Sequence, residues 1–153
     1  MTPERPHAKP ILVTGAAGAV GSIGRNLTEM LVAKGHRVRA LVRREDERAE
    51  ALRQLGAEVV QGDLTDLTAM HPAIAGCARV YFGMSVSSDY LTATINTAAV
   101  ARNHGVEAFV NMSQMTVTQM SITETTNSPQ LAGGTSPVMV GPPSHHHAAH
   151  GLS

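Results

Sequence analysis

The feature that most constrains this chain is a run of four glycines near its start. They recur at steps of three within the segment TGAAGAVGSIG, at Gly15, Gly18, Gly21 and Gly24. The aliphatic run ILV precedes them at residues 11–13, and apolar residues at helical spacing follow them. A glycine-rich turn between a buried strand and a helix brings backbone N–H groups and a helix N-terminus close to a phosphate. We therefore predict a strand, a tight turn and a helix that bind the pyrophosphate of a dinucleotide.

Each glycine of the run has a predicted role that a side chain would obstruct. Gly15 permits the tight turn, and Gly18, beside Ala17, lets the backbone approach the phosphates. Either Gly21 or Gly24 lets the helix pack closely against the strand. The registers Gly15/Gly18/Gly21 and Gly18/Gly21/Gly24 both fit a three-residue step, so both remain open. A flexible glycine and alanine loop is the alternative, which the flanking strand and helix disfavour.

Strand-like and helix-like segments alternate through residue 112. We predict strands at residues 11–13, 38–42, 58–60, 78–82 and 108–112, and helices at residues 25–34, 43–53, 66–74 and 89–103. Helical connections between strands imply right-handed crossovers and a parallel sheet. The predicted fold class is α/β, a Rossmann-type sheet of strand order 3-2-1-4-5 that is incomplete at its C-terminal side. Ligands are expected beyond the carboxyl ends of strands one and four.

Composition divides the chain into a domain and a tail. Residues 9–124 carry the alternating pattern, whereas residues 125–153 contain no Asp, Glu, Lys or Arg, and we expect this tail to be disordered. Twelve basic residues balance twelve acidic ones, so no overall field attracts nucleic acid or an anionic membrane. No apolar run approaches the roughly 20 residues that cross a bilayer. A single cysteine, Cys77, and a start without a signal-like segment favour a cytoplasmic protein.

Two arginines follow the second strand and bear on the choice of cofactor. An acidic residue at this point would bind the ribose of NAD, whereas an arginine accommodates the 2′-phosphate of NADP. Because guanidinium groups bind phosphate well, Arg43 and Arg44 favour NADP over NAD. In the alternative interpretation they only begin a solvated helix, in which Glu45 and Asp46 partly neutralise them.

Small and acidic residues follow the third and fourth strands. Asp63, next to Leu64, either accepts a hydrogen bond from the adenine amine or serves only in a turn. Gly83, next to Met84, either lets the cofactor lie against the end of the strand or forms plain loop. These four residues complete the predicted cofactor site.

Four segments of the chain carry a family resemblance. They are ILVTGAAGAVGSIGRNL, GHRVRALVRRED, AEVVQGDLTD and GVEAFVNMSQ. Together they resemble the NmrA-like, NAD(P)-binding branch of the atypical short-chain dehydrogenase/reductase family, over about residues 9–130. The resemblance implies a Rossmann fold, NADP bound through the glycine loop and Arg43 or Arg44, and Asp63 and Leu64 near the adenine. The chain departs from the family at Ser22, Ile23 and Gly24, which lengthen the loop.

The proton donor typical of this superfamily is missing from the sequence. Its reductases use a Tyr with a Lys four residues later, and neither Tyr81 nor Tyr90 has a Lys at that spacing. Ser113 follows the fifth strand where the family's serine would lie, and Asn96 resembles its supporting asparagine. Without the Tyr-Lys pair, a structural or cofactor-loop role is favoured for Ser113, which is the one weak candidate, and no catalytic residue is predicted. The histidines of the tail, residues 145–147 and 150, have no carboxylate or thiolate neighbours, so no metal site is predicted either.

These observations predict an NADP(H)-binding, NmrA-like protein, sensor-like or degenerate, with little catalysis of its own. Some family members reduce quinones or other small carbonyl-like substrates, and others report the NADP state to a protein partner. The first alternative is therefore an NAD(P)H-dependent oxidoreductase of this kind, and the second is a cofactor-free interaction module. The break in composition further predicts a truncated or frameshifted relative. In such a relative, strands four and five lack a covering helix and a protein partner covers the incomplete sheet.

Overall fold

A computed structural model describes residues 8–18, 23–85 and 87–113, together with the backbone of residues 139–140. The five predicted strands are β1 (Ile11–Thr14), β2 (Val38–Val42), β3 (Glu58–Gln61), β4 (Arg79–Phe82) and β5 (Ala108–Asn111). Four helices connect them: α1 (Ile23–Ala33), α2 (Glu47–Gln54), α3 (Leu67–Ile74) and α4 (Tyr90–Asn103). All five strands are parallel and lie in the order β3-β2-β1-β4-β5. The predicted α/β class and the strand order 3-2-1-4-5 are confirmed.

A sixth strand, β6 (Met139–Val140), extends this sheet at the β5 edge. It pairs antiparallel with β5, with Val140 opposite Phe109 and Met139 opposite Val110. The sequence analysis predicted no strand in residues 125–153, because a strand of two residues has no period to recognise. Gly21, residues 114–138 and the tail histidines at 145–147 and 150 lie outside the described residues.

The start of α2 differs from the prediction in a way that matters for the site. The helix begins at Glu47 rather than Arg43, because Asp46 has an extended backbone (φ −134°, ψ −173°) and caps it. The Asp46 carboxylate accepts hydrogen bonds from the backbone N–H groups of Arg48 and Ala49. Arg43 and Arg44 therefore lie in the loop after β2, and the interpretation that they begin a solvated helix is wrong.

Helices cover both faces of the sheet. On one face α3 and α4 pack on a cluster that includes Leu12, Met70, Val80, Phe82 and Phe109. On the other, α1 and α2 pack on Val13 and Val42, and Ala49 and Leu52 of α2 are buried there. Strands four and five were expected to lack a covering helix, but α4 contacts both and buries their first face. On the second face Tyr81 and Val110 are only half-buried. In the part of the chain that the structure describes, no helix is long and apolar enough to span a membrane.

Candidate dinucleotide-binding site

A cavity of about 360 Å³ opens at the carboxyl ends of β1 to β4. Its lining contains nine of the predicted site residues, namely Gly15, Ala17, Gly18, Arg43, Arg44, Asp63, Leu64, Gly83 and Met84. The strand order reverses between β1 and β4, which is where doubly wound sheets bind ligands. The structure thus brings together, in one cavity, residues that are up to 69 positions apart in the chain.

The turn after β1 excludes a side chain at Gly15. Its φ is +71°, in the left-handed region that favours glycine, and an added Cβ would lie 2.5 Å from the carbonyl oxygen of Gly83. Three residues on, the Gly18 N–H donates to the Gly15 carbonyl at 3.1 Å and closes the turn. Gly15 therefore serves both the turn and the close approach of β1 to β4.

Gly24 lets α1 pack closely against the turn that follows β1. A Cβ at this position would lie 2.9 Å from the carbonyl carbon and oxygen of Gly15 and from the amide nitrogen of Ala16. Gly24 is buried behind the turn and is not among the residues that line the cavity. Gly24, six positions after Gly18, thus makes a close contact of the kind predicted, and Gly21 lies outside the described residues.

A buried threonine joins the ends of β1 and β4. The Thr14 hydroxyl donates to the Gly83 carbonyl at 2.8 Å and accepts from the Gly83 N–H at 2.9 Å. Both backbone groups of Gly83 are therefore satisfied by one side chain with no exposure to solvent. This contact was not predicted, and its one signal in the sequence is the position of Thr14 directly before the first glycine.

The cations at the cavity differ in how far they are neutralised. Arg43 is exposed, and its Nε lies 3.6 Å from Asp63 Oδ2. Arg44 is also exposed, and among the described residues it has no ion-pair partner. Arg48, which the sequence analysis did not select, lines the same cavity and pairs with Asp46 at 2.6 Å. Recognising Asp46 as the N-cap of α2 would have placed Arg48 in the first turn, facing the site.

The two acidic residues expected to neutralise the arginine pair have other partners. Glu45 accepts two hydrogen bonds from Arg53, at 2.7 and 2.8 Å. Asp46 accepts from Arg48, and those hydrogen bonds lower the pKa of Asp46. Arg44 consequently keeps its positive charge available at the cavity.

Asp63 forms a turn with Thr65. Its Oδ1 accepts from the Thr65 backbone N–H at 2.9 Å and from the Thr65 hydroxyl at 2.7 Å. These hydrogen bonds, with a smaller contribution from the charge of Arg43, lower the pKa of Asp63. The predicted turn role is present, and Oδ2 remains directed toward Arg43.

The remaining candidates for proton transfer lie away from the cavity lining. The Tyr90 hydroxyl has one proton to donate and lies 3.0 Å from Asn111 Oδ1 and 2.8 Å from Met112 O, both acceptors. Burial raises the pKa of Tyr90. Lys9 precedes β1 and Lys34 follows α1, so both lie at the opposite edge of the sheet. Ser113 follows β5 and does not line the cavity.

Asn96 of α4, which the resemblance likens to a supporting asparagine, is bonded to the loop after β3. Its Nδ2 donates to the carbonyl oxygens of Leu64 and Thr65. Among the described residues, no three His, Cys, Asp or Glu side chains are grouped to hold a metal ion.

Curated relatives of the chain include two bacterial proteins. Sterol demethylase protein B of Methylococcus capsulatus is 40% identical over 70 residues, which are 46% of this chain and 21% of that protein. A 4-hydroxy-2-methyl-3-oxo-4-farnesyl-3,4-dihydroquinoline-1-oxide ketoreductase of Stigmatella aurantiaca is 33% identical over 110 residues, 65% of this chain and 33% of that protein. The chain thus spans 21% and 33% of the length of these two relatives.

Solved structures with the same fold include reductases, and a family model covers most of the chain. An NADPH-dependent quinone oxidoreductase of Escherichia coli, complexed with NADPH, is 25% identical with a TM-score of 0.57, covering 67% of this chain and 36% of its own. A triphenylmethane reductase of Citrobacter sp. is 28% identical with a TM-score of 0.55, covering 68% and 37%. The model of a family described as NAD(P)H-binding matches residues 18–138. The chain therefore belongs to this NAD(P)H-binding family.

Proposed function

We propose that this chain binds NADP(H) at its carboxyl-edge cavity, in the manner of an NmrA-like member of the short-chain dehydrogenase/reductase superfamily. The observation that carries the proposal is the position of Arg44, an exposed cation with no ion-pair partner among the described residues, in the same cavity as the glycine turn. A dinucleotide with a 2′-phosphate has anionic groups for both features, whereas NAD has one only for the turn.

The proposed pose follows from the chemistry of the lining. The pyrophosphate lies beside Gly18 near the N-terminus of α1, where backbone N–H groups and the helix dipole favour an anion. The 2′-phosphate lies at Arg44, with Arg43 in support. The adenine lies beside Asp63 and Leu64. These groups fit the cofactor because no side chain occupies the turn at residues 15 and 18.

Substitution of Arg44 tests the NADP assignment. Hydrogen bonds to charged groups contribute about 1.5–3 kcal/mol, so Arg44→Gln should raise the Kd for NADPH roughly 10- to 100-fold. The Kd for NADH should change little. Arg43→Gln should have a smaller effect, because Asp63 already neutralises part of its charge. Calorimetric titration of each variant with both cofactors measures these values.

Arg102→Gln is the matched control. Arg102 is an exposed arginine in the last turn of α4, at the opposite edge of the sheet, and its loss should leave both affinities unchanged. If wild type binds neither dinucleotide at high micromolar concentration, the proposed function is wrong. If it binds both equally and Arg44→Gln changes nothing, dinucleotide binding stands and the preference for NADP is wrong.

A second proposed function is hydride transfer from NADPH to a quinone or a similar small carbonyl compound. It is favoured by the ketoreductase and quinone oxidoreductase among the similar proteins. NADPH would supply the hydride, whereas the described lining holds no Tyr-Lys pair to supply the proton. Loss of NADPH absorbance with a soluble benzoquinone, above the rate without protein, would support this function. Tight NADPH binding without turnover would support the sensor-like role, in which the bound state is reported to a protein partner.

A further inference from the structure

We propose that Asn96 is a positioning residue for the adenosine half of the cofactor site. It lies on α4 outside the cavity lining, and it acts by holding the loop after β3 in place. This inference rests on the proposed function, because the loop carries Asp63 and Leu64, the residues assigned to the adenine. The supporting observation is a continuous set of polar contacts from α4 to Arg43.

The first contact joins the helix to the loop. Asn96 Nδ2 donates to the Thr65 carbonyl oxygen at 3.1 Å and to the Leu64 carbonyl oxygen at 3.5 Å. An amide nitrogen carries two donors, so one side chain serves both carbonyls. Leu64 and Thr65 themselves line the cavity. Asn96 therefore determines the position of lining residues without touching the ligand.

The contacts continue from the loop to the arginine after β2. The Thr65 N–H and hydroxyl donate to Asp63 Oδ1, and Asp63 Oδ2 lies 3.6 Å from Arg43 Nε. Four side chains from three separate segments thus form one set of contacts along the adenosine side of the cavity. A shift of the Thr65 carbonyl would move the Asp63 carboxylate and, through it, the guanidinium of Arg43.

The helix is the rigid member of this set. On α4, Ala93, Thr97 and Val100 are fully or almost fully buried. By contrast, Thr65 and Arg43 are exposed and Asp63 is partly exposed. Exposed polar contacts contribute little individually, but anchoring a loop on a packed helix reduces the ordering that ligand binding requires. Through Asn96, the packed helix α4 holds the loop on the adenosine side of the site in place.

Three variants test this role. Asn96→Leu keeps the shape of the side chain and removes both donors, and Asn96→Asp places carboxylate oxygens against the two carbonyls. Asn103→Asp is the control, since Asn103 is an exposed asparagine at the end of the same helix. Loss of a hydrogen bond worth about 1 kcal/mol predicts a three- to tenfold higher Kd for NADPH and for adenosine 2′,5′-bisphosphate in both Asn96 variants. Asn103→Asp should leave both values unchanged.

Two readouts separate positioning from general destabilisation. In the ligand-free protein, hydrogen exchange at the Thr65 amide should accelerate about threefold or more in Asn96→Leu, while amides of β1 keep their protection. In an Arg43→Gln background, Asn96→Leu should weaken NADPH binding by less than half as much, in free energy, as it does in wild type, because the two residues act through one set of contacts.

The outcomes distinguish this inference from the proposed function. If wild type binds neither NADPH nor adenosine 2′,5′-bisphosphate, the proposed function fails, and the inference, which rests on it, fails as well. If wild type binds NADPH and Asn96→Leu changes neither the affinity nor the exchange, the inference alone is overturned. Faster exchange with unchanged affinity also overturns it, since the loop would then be held without consequence for the cofactor.

Discussion

The side chain of Thr14 joins β1 to β4 at the point where the strand order of the sheet reverses. Its hydroxyl donates to and accepts from the same residue, Gly83, 69 positions away in the chain. Both partners are buried, so neither backbone group of Gly83 can turn to water if the hydroxyl is lost. The close approach of Gly15 to Gly83 depends on this pair of hydrogen bonds.

Thr14→Val tests the contribution of that hydroxyl. The substitution keeps the shape and leaves a buried N–H and C=O unsatisfied, so the free energy of unfolding should fall by about 2 kcal/mol. NADPH binding should weaken as well, because β1 and β4 separate at the cavity. Urea denaturation measures the first effect.

Thr28→Val is the control for Thr14→Val. Thr28 is equally buried, but its hydroxyl donates to the Gly24 carbonyl one turn back, which by helix geometry also accepts the Thr28 N–H. Its loss should cost less than about 1 kcal/mol, because no backbone group is left unsatisfied. Equal losses for the two variants would show that the Thr14 contacts have no special weight.

At the scale of the element, the position of α1 depends on its contact with the turn that precedes it. Gly24 lies in the first turn of the helix, where an added Cβ would meet the backbone of Gly15 and Ala16 at 2.9 Å. Backbone atoms cannot rotate away as a side chain would. The N-terminus of α1 can therefore pack against the turn only while residue 24 has no side chain.

Gly24→Ala should reverse the usual effect of alanine in a helix. At an unobstructed helical position alanine is more favourable than glycine by about 1 kcal/mol. Here the added methyl should force α1 away from the turn and lower the free energy of unfolding by roughly 1–3 kcal/mol. Thermal unfolding and NADPH titration measure the two consequences.

The adjacent exposed position provides the control for Gly24→Ala. Arg25→Ala changes a solvent-exposed side chain in the same turn and should alter stability by less than about 0.5 kcal/mol. A stabilised Gly24→Ala protein with unchanged NADPH affinity would refute the close packing of α1 on the turn.

At the scale of the whole molecule, the parallel sheet collects polar side chains at one edge. Three aspartates lie at this edge. Asp46 and Asp66 begin α2 and α3, and Asp63 follows the carboxyl end of β3. Hydrogen bonds from Arg48, from Thr65 and from Thr68, respectively, are the main causes that lower the pKa of these carboxyl groups. Protonation of these carboxyl groups should therefore weaken the hydrogen bonds at the same edge of the sheet that forms the cavity.

Stability should accordingly fall on acidification. Since the three carboxyl groups have a lower pKa in the folded chain than their ordinary value of 3.8, the unfolded chain binds more protons at low pH. Their contribution is complete above about pH 5 and is lost as pH falls through 3.8 and below. Urea midpoints measured across this range should decrease toward acid. Asp66→Asn, which still caps α3 but does not titrate, should reduce the slope. A midpoint independent of pH would contradict this assignment.

Local sequence patterns determined the elements, their order and most of the candidate site. Alternating aliphatic and helical periods locate five strands and four helices, and the handedness of crossovers leads to the order 3-2-1-4-5. Residues directly after each strand were predicted at the ligand edge because parallel strands end together. This prediction uses only residues that are close in the sequence, and the structure places three of the predicted residues, Gly15, Arg44 and Asp63, in one cavity.

Only the tertiary structure decided the contacts between distant segments. The three-residue glycine repeat satisfies two registers equally, and the close contact of Gly24 with the backbone of Gly15 and Ala16 is seen only once α1 packs on the turn. The partner of Thr14 and the orientation of Asn96 depend on how crossovers bring β4 and α4 against other loops. The periodicity of apolar residues indicates which face of a helix or strand is buried. It does not indicate which residues of other elements that face contacts. That choice is made by packing, once the whole sheet has formed.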